Sequence, residues 1–277
     1  MQPQAGWELL DSGGGRKLER FGDVLLDRPA AQAFWPREEG APWSEARAGF
    51  HRGSRGDGRW RVRGEPLEEG WSAGVEGLNL EIRATGFGNV GLFPEHSVHF
   101  AWMRELLGAV RSPDVLNLFA YTGAASIACA LAGARVTHVD SAGAVNGWAR
   151  LNAERNGVPG GSLRFFTDDA LKLARRELRR GHRYRGILLD PPSFGRGPRG
   201  EVFKLEDHLP ELLASCLELL ADDALFLLLT AHSPGVTPAV LRALLREPDG
   251  EIESGEMLLA GGGPPLPCGA YARWTPR

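Results

Sequence analysis

Hydrophobic positions along this chain change their period near residue 115. Beyond it, short aliphatic runs alternate with longer segments in which apolar residues recur every three or four positions. An unbroken aliphatic run predicts a buried strand, and the longer period predicts an amphipathic helix. The predicted strands are 115–119, 134–139, 163–166, 185–189, 224–230, 252–258 and 271–275. The predicted helices are 123–132, 143–156, 169–180, 204–221 and 237–246.

This alternation of strands and helices predicts one fold class. We expect a doubly wound α/β fold, in which a mostly parallel sheet of seven strands carries helices on both faces. The last connection, 260–269, is rich in glycine and proline and has no helical pattern. Because parallel pairing needs a long crossover, we expect the final strand to pair antiparallel.

The first 75 residues have a different pattern. Short β-type runs alternate with glycine turns, and five of the eight tryptophans fall in this part of the chain. The sequence therefore predicts a small β-rich N-terminal domain over 1–75, followed by a larger domain over 76–277. A chain of 277 residues has room for both.

Composition narrows the class of protein. A hydrophobic content of 43% and a charged content of 24% are ordinary for a soluble globular protein. The net charge of −3 does not by itself indicate nucleic-acid binding. The sequence has neither an apolar run long enough for a membrane span nor a signal-peptide pattern at its start. Three cysteines without metal-ligand spacing favour a cytoplasmic protein that has reduced thiols and no metal site.

The motif Asp190-Pro191-Pro192-Ser193-Phe194 follows a buried aliphatic run. Asp190 is predicted at the carboxyl end of that strand, where open α/β sheets bind ligands. Pro191 and Pro192 end the strand and form a stiff ledge, on which Phe194 can lie beside a flat substrate. The alternative is an ordinary strand end followed by a turn.

A second motif is Asn-Leu-Phe-Ala-Tyr-Thr-Gly-Ala-Ala-Ser at 117–126, which predicts a strand, a tight turn and a helix start. Asp140 ends the next predicted strand, 23 positions after Asn117. That is close to the roughly twenty residues expected between a nucleotide-binding turn and a ribose-binding carboxylate. Only Gly123 stands where a dinucleotide fold has several glycines, so the turn has no pyrophosphate cradle. This favours a nucleoside cofactor without phosphates, namely S-adenosyl-L-methionine.

Further matching positions are Asn152, Asn156, Asp169-Ala170 and the segment 189–213. Together with the two motifs, they make the chain resemble the class I S-adenosylmethionine-dependent methyltransferases. Within them it is similar to the group that contains the bacterial large-subunit ribosomal RNA methyltransferases for cytosine carbon-5 and guanine N7. The resemblance covers about residues 79 to 277. It implies a Rossmann-like sheet with one reversed strand, S-adenosyl-L-methionine as the cofactor and RNA as the partner.

The resemblance also implies roles for individual residues. Asp190, Pro191, Pro192 and Phe194 would form the catalytic site, with Phe194 stacked on the base. Asp168 and Asp169 would meet the adenine, unless they serve only to cap the next helix. The methionine part of the cofactor would be held by Asn117, Phe119, Ala120, Tyr121, Thr122 and Gly123. Asp140 and Ser141 would hold the ribose. Ala170 would lie near the adenine, and Phe93 would close over the cofactor. The alternative for the Phe93 segment is a plain helix start at Pro94.

The base atom that can receive the methyl group depends on whether a catalytic cysteine is present. Methylation of cytosine carbon-5 needs a thiolate that first adds to the ring. The related cytosine enzymes carry that cysteine just after the fifth strand, where this chain has 230–235 without a cysteine. Cys268 is the only cysteine outside a predicted helix. A purine N7 or exocyclic amine is therefore favoured over carbon-5.

Two arginine clusters, at 47–63 and 175–185, hold six arginines each and suit an RNA backbone, or form ordinary solvated surface. Other classes of function stay open at this point. One alternative is a methyltransferase acting on a small heterocyclic metabolite or a protein side chain. Another is a non-catalytic or dehydrogenase-like nucleotide-binding protein.

Overall fold

A computed structural model describes residues 6–53, 58–197, 199–245 and 249–277. Its contacts divide the chain into two compact units. The first unit is Met1–Ser97 with Leu258–Cys268, and the second is Val98–Met257 with Gly269–Arg277. The sequence-based boundary after residue 75 falls in the turn of a hairpin, whereas the contacts extend the first unit to Ser97.

The first unit is built from short strands, as its pattern suggests. Five of them form one sheet in sequence order, antiparallel except for the parallel third and fourth, and the other two form a separate hairpin. These strands are β1 (Trp7–Gly13), β2 (Arg16–Phe21), β3 (Val24–Pro29), β4 (Ala48–Arg52), β5 (Gly58–Val62), β6 (Trp71–Val75) and β7 (Leu78–Ile82). Two 3-10 turns, Trp43–Glu45 and Pro94–Ser97, belong to the same unit.

The second unit begins with helix α1 and then alternates strand and helix. Its helices are α1 (Val98–Gly108), α2 (Ala124–Leu131), α3 (Gly143–Arg155), α4 (Ala170–Arg179), α5 (Leu205–Glu218) and α6 (Pro238–Leu244). Its strands are β8 (Asp114–Leu118), β9 (Arg135–Asp140), β10 (Leu163–Thr167), β11 (Gly186–Leu189), β12 (Phe194–Arg196), β13 (Val202–Lys204), β14 (Phe226–Ala231), β15 (Glu251–Leu259) and β16 (Leu266–Thr275). The tip of the β15–β16 hairpin, Leu258–Cys268, belongs to the first unit.

Seven of these strands form one sheet in the order β10-β9-β8-β11-β14-β16-β15. The five strands from β10 to β14 are parallel, and β16 pairs antiparallel with β14. The predicted doubly wound, mostly parallel sheet of seven strands with a β-rich N-terminal part is therefore confirmed. The aliphatic runs fit burial on both faces, because every residue of β11 and β14 is buried.

The strand order also locates the expected ligand site. From β8 the chain first builds outward through β9 and β10, and then returns to build β11 and β14 on the other side. Ligands of open α/β sheets bind outside the carboxyl ends of the strands at such a switch point. The residues that follow β8, β9 and β11 are therefore the ones to examine.

One element escaped the sequence analysis. The segment after the two prolines folds into a hairpin of β12 and β13, with Phe194 opposite Lys204 and Arg196 opposite Val202. Strands of three residues are too short to show a period, and the glycines between them suggested only a turn. Pro198 of this turn lies outside the described residues. Among the helices that the structure describes, none is long and apolar enough to cross a membrane.

Candidate active site

The turn that joins β8 to α2 is strained. Phe119 and Tyr121 have φ angles of 57° and 50°, and Gly123 has a φ of 91°. A left-handed conformation costs a non-glycine residue about 1–2 kcal/mol, and such strain clusters at ligand sites. The turn persists because its neighbours hold it: the Ala120 amide donates to the Val139 carbonyl at 3.0 Å.

Side chains from α3 hold the same turn. The Asn152 amide donates to the Thr122 carbonyl at 2.9 Å, so this asparagine fixes the turn from the following helix. A Cβ added at Gly123 would lie 3.2 Å from the Ala149 Cβ, closer than packing normally allows. Gly123 is thus needed for both its φ angle and its lack of a side chain. The backbone of the turn can come close to a ligand there.

Asn117 uses its side chain inside the protein. Its amide donates to the Ser126 hydroxyl at 2.8 Å, and that oxygen lies 3.0 Å from Nδ1 of His138. All three side chains are buried. Burial lowers the pKa of the His138 imidazole to about 4, so this ring is neutral at pH 7. The network ties β8 to α2 and β9. The predicted contact of Asn117 with the methionine part of the cofactor stays a prediction.

Asp140 connects the strained turn to β9. Its two carboxylate oxygens accept hydrogen bonds from the Tyr121 amide at 3.0 Å and from the Ala142 amide at 2.9 Å. Burial raises the pKa of this carboxyl, against the lowering effect of the Ala142, Tyr121 and Ser141 amides. A carboxylate has about four lone-pair positions, so two remain for further donors. Asp140 can therefore hold the turn and still accept hydrogen bonds from two hydroxyls.

Asp168 and Asp169 follow β10 and have partners within the protein. Asp169 caps α4 by accepting the Lys172 amide at 2.9 Å, which is the capping role that the sequence left open. Asp168 forms an ion pair with Arg176 at 2.6 Å. Ala170, the first residue of α4, is buried. These contacts place the segment at the edge of the sheet, and its approach to an adenine stays a prediction.

Asp190 directly follows β11. Its Oδ1 accepts a hydrogen bond from the Thr230 hydroxyl at 2.7 Å, and Nε2 of His232 lies 3.6 Å from the same atom. Thr230 belongs to β14, the parallel neighbour of β11, so adjacent strand ends bring these groups together. Asp190 and His232 are both partly exposed, so the carboxylate remains within reach of a ligand.

The ledge after Asp190 exposes an aromatic ring. Pro191 is buried, whereas Pro192 and Ser193 are exposed. The Phe194 side chain is 53% exposed, and the Arg196 guanidinium lies 5.8 Å from its ring centroid. The hydroxyls of Ser193 and Ser233 are 2.6 Å apart and join the ledge to the loop after β14. Phe194 is therefore a surface ring beside a cation, available to a flat ligand.

Phe93 lies in the first unit, whereas the other predicted site residues lie in the second. It precedes the 3-10 turn Pro94–Ser97, and its carbonyl accepts the His96 amide at 3.2 Å. The helix start at Pro94, which was the alternative in the sequence analysis, is present as this 3-10 turn. Closure of Phe93 over a cofactor stays a prediction.

Sequence reasoning placed Thr230 and Ser233 near the site but did not predict their contacts with Asp190 and Ser193, and it missed the partner of Asp168. The sequence showed only that Thr230 lies at the end of a buried aliphatic run, and the structure adds that this run pairs with the strand before Asp190. Carboxyl ends of adjacent parallel strands lie side by side, so a polar residue there is a candidate. The only sequence signal for the Asp168–Arg176 ion pair was its spacing of eight residues. Opposite charges at that spacing are common on helices, so the spacing does not predict the pair.

A seven-stranded sheet with one reversed strand, an acid at the end of β9 and the Asp-Pro-Pro-Ser-Phe ledge after β11 together define a class I S-adenosylmethionine-binding methyltransferase. A family model described as S-adenosylmethionine-dependent methyltransferase matches residues 48–254. This chain therefore belongs to the S-adenosylmethionine-dependent methyltransferase family. The predicted enzyme class and the predicted cofactor are confirmed.

Three comparisons show how far the similarity extends. A solved S-adenosylmethionine-dependent methyltransferase from Agrobacterium tumefaciens is 41% identical, with a TM-score of 0.94 over 100% of this chain and 92% of that one. The ribosomal RNA large subunit methyltransferase K/L of Shewanella frigidimarina (strain NCIMB 400) is 31% identical over 205 residues, 73% of this chain and 27% of that protein. A methyltransferase structure from Streptococcus mutans, 16% identical with a TM-score of 0.76 over 98% and 75% of the two chains, shares the fold. This chain thus spans about a quarter of the curated relatives' length.

The residues at the β8–β9 edge fit the cofactor. The turn offers backbone and one glycine but no glycine-rich cradle, which suits a nucleoside without phosphates. Asp140 keeps acceptor capacity for two ribose hydroxyls after its two backbone hydrogen bonds. Both observations agree with S-adenosylmethionine, and the single glycine of the turn disagrees with a dinucleotide, which needs a glycine-rich cradle.

Proposed function

We propose that this protein methylates a nitrogen atom of a base in ribosomal RNA, with a purine N7 or exocyclic amine as the acceptor. The observation that carries the proposal is the exposed Phe194 ring beside Arg196, next to Asp190 at the carboxyl edge of the sheet. An exposed aromatic ring stacks on an unpaired base, and an adjacent guanidinium suits the phosphates on either side.

In methyl transfer, the main task of the side chains is to position the two reactants. S-adenosylmethionine supplies a methyl group that is already activated on a sulfonium, so the protein has to orient the acceptor and exclude water. Asp190, held by Thr230, presents a carboxylate that can accept a hydrogen bond from an amino group of the base. Phe194 would fix the plane of the base, and Pro191 would fix the backbone that carries Asp190 and Phe194.

The state of the cysteines supports a nitrogen acceptor. Burial raises the pKa of the Cys129 thiol and of the Cys268 thiol to about 12, and it also raises that of Cys216. A thiol with so high a pKa is protonated at neutral pH and is a poor nucleophile. Carbon-5 of cytosine needs a thiolate catalyst, whereas a purine nitrogen has its own lone pair.

Ribosomal RNA is proposed as the substrate because several curated relatives are named ribosomal RNA large subunit methyltransferases. The similarity covers about a quarter of those proteins, so their whole activity is not transferred to this chain. The first unit adds exposed arginines that suit an RNA backbone. Arg52, Arg59 and Arg61 are exposed on β4 and β5, whereas Arg55 and Asp57 of the same predicted cluster lie outside the described residues.

The test is transfer of tritiated methyl from S-adenosylmethionine to total RNA from a strain that lacks this protein, followed by mass analysis of the nucleosides. We expect one labelled purine nucleoside methylated on nitrogen. A labelled 5-methylcytidine would overturn the choice of atom. Absence of label in RNA, while the protein still binds the cofactor in calorimetry, would overturn RNA as the substrate and favour a small heterocycle or a protein side chain.

A further inference from the structure

A cavity of about 350 Å³ lies at the amino ends of the strands, the opposite edge of the sheet from the candidate active site. Asp114 and Arg135 are the first residues of β8 and β9, and Arg164 is the second residue of β10. His182 and Arg183, just before β11, complete the lining. A strand of five residues rises about 16 Å, so the cavity is separated from the methyl-transfer edge by about that distance.

The cationic side chains of this cavity differ in whether their charge is compensated. Arg135 forms two hydrogen bonds with Asp114, at 2.9 and 2.6 Å. Arg164 donates only to the Thr137 hydroxyl, at 3.1 Å, and Arg183 donates to the His182 carbonyl, at 2.9 Å. Within the described part of the chain, neither of these two guanidiniums pairs with a carboxylate. The cavity therefore has two uncompensated positive charges.

Neighbouring arginines outside the cavity do not share this property. Arg175 pairs with Glu211, and Arg185 pairs with Asp223. Their charges are compensated within the protein, so they add little attraction for an external anion. The second arginine cluster of the sequence thus contains both compensated and uncompensated members, and Arg183 is an uncompensated member that lines the cavity.

We propose that this cavity binds a phosphate group of the RNA backbone, remote from the base that is methylated. The planar guanidinium matches phosphate oxygens with two parallel hydrogen bonds, and Ser162, a residue with a hydroxyl, is among those that line the same cavity. Phosphate contacts set the register and orientation of a nucleic acid without reading its sequence. The cavity would anchor the RNA, while Phe194 at the other edge engages the base; this inference rests on the proposed function.

The test compares the salt dependence of RNA affinity in four single variants of the full chain. Arg164→Gln and Arg183→Gln remove uncompensated charges, and Arg175→Gln and Arg185→Gln are the matched controls with compensated charges. We expect the slope of log affinity against log salt to fall by about 0.7 in each of the first two, as for one lost contact with a single-stranded phosphate. The controls should keep the wild-type slope, and cofactor affinity should be unchanged in all four.

Equal slopes in all four variants and the wild-type protein would overturn the proposal. A second arm titrates inorganic phosphate into the same proteins by calorimetry. Phosphate binding that Arg164→Gln weakens, together with an unchanged RNA slope, would assign the cavity to a free phosphorylated molecule and overturn the RNA source. Methyl transfer into RNA by the wild-type protein reports on the proposed function separately, so the two failures are distinguishable.

Discussion

The two edges of the seven-stranded sheet carry opposite charges. At the carboxyl edge, Asp140 is the last residue of β9, and Asp168 and Asp190 directly follow β10 and β11. At the amino edge, Arg164 is the second residue of β10 and Arg183 lies three residues before β11, and within the described residues neither pairs with a carboxylate. S-adenosylmethionine carries a positive sulfonium and RNA carries negative phosphates, so each edge suits one of the two ligands. In the proposal above, the two edges of one sheet separate cofactor binding from RNA anchoring by the sign of their charge.

The edges also differ in how their groups are held. Asp140 is partly buried and accepts two backbone amides, and the turn it supports is strained. At the amino edge, Arg164 and Arg183 are exposed and make single hydrogen bonds. A preorganised edge fixes reacting groups in place, whereas flexible cations suit a backbone whose path varies. Substitutions at the first edge should therefore have larger effects than those at the second.

The largest effect is expected for Asp140→Ala. This change removes the proposed acceptor of two ribose hydroxyls. A hydrogen bond to a charged group contributes about 1.5–3 kcal/mol, so cofactor affinity should fall at least about 100-fold. Calorimetry with S-adenosylmethionine measures it. The pKa of this carboxyl is raised, so the carboxylate is lost at a higher pH than for a free aspartate, and affinity should fall as the pH drops through that value.

Asp140→Asn is the matched control, because it keeps one acceptor oxygen and should lose less affinity. A wild-type affinity in Asp140→Ala, with the fold intact by circular dichroism, would exclude the ribose role.

The next effect is expected for Phe194→Ala. Loss of base stacking costs about 1–3 kcal/mol, so methyl transfer to RNA should fall about 10- to 100-fold, with cofactor affinity unchanged. Phe194→Tyr keeps the ring and should retain most of the activity. If Phe194→Ala transfers methyl at the wild-type rate, the ring does not contact the substrate.

Gly123→Ala should destabilise the protein by about 1–2 kcal/mol through its left-handed φ angle, plus the contact of the new Cβ with Ala149. Gly133→Ala is the control, because its φ is 93° and its surroundings within 4 Å are open. Urea denaturation of the two variants separates backbone strain from crowding. Equal losses would mean that Ala149 moves aside at no cost.

The smallest effect is expected for Arg185→Gln at the amino edge. Its ion pair with Asp223 lies at the surface, and exposed ion pairs contribute little to the free energy of unfolding. Thermal denaturation should therefore give a midpoint close to wild type at both low and high salt. A large loss of stability would show that this edge is held as firmly as the carboxyl edge, contrary to the comparison.

The sequence alone determined the order of strands and helices and the positions of the acids. Each predicted strand of the large sheet lies within a few residues of an observed one, because aliphatic runs such as 185–189 must be buried on both faces. Asp140 and Asp190 follow those runs, so their place at the carboxyl edge was predictable. The antiparallel last strand was also predictable, since its connection is too short for a crossover.

Only the tertiary structure decided which groups meet. Thr230 reaches Asp190 across 40 residues because β11 and β14 are neighbours, a pairing that no local pattern encodes. The strained angles of Phe119 and Tyr121 depend on contacts from β9 and α3, since local preferences oppose them. The division of the arginines into compensated and uncompensated depends likewise on carboxylates distant in sequence. Local sequence patterns determine the strands and helices, whereas contacts between residues distant in sequence determine which side chains meet in the site.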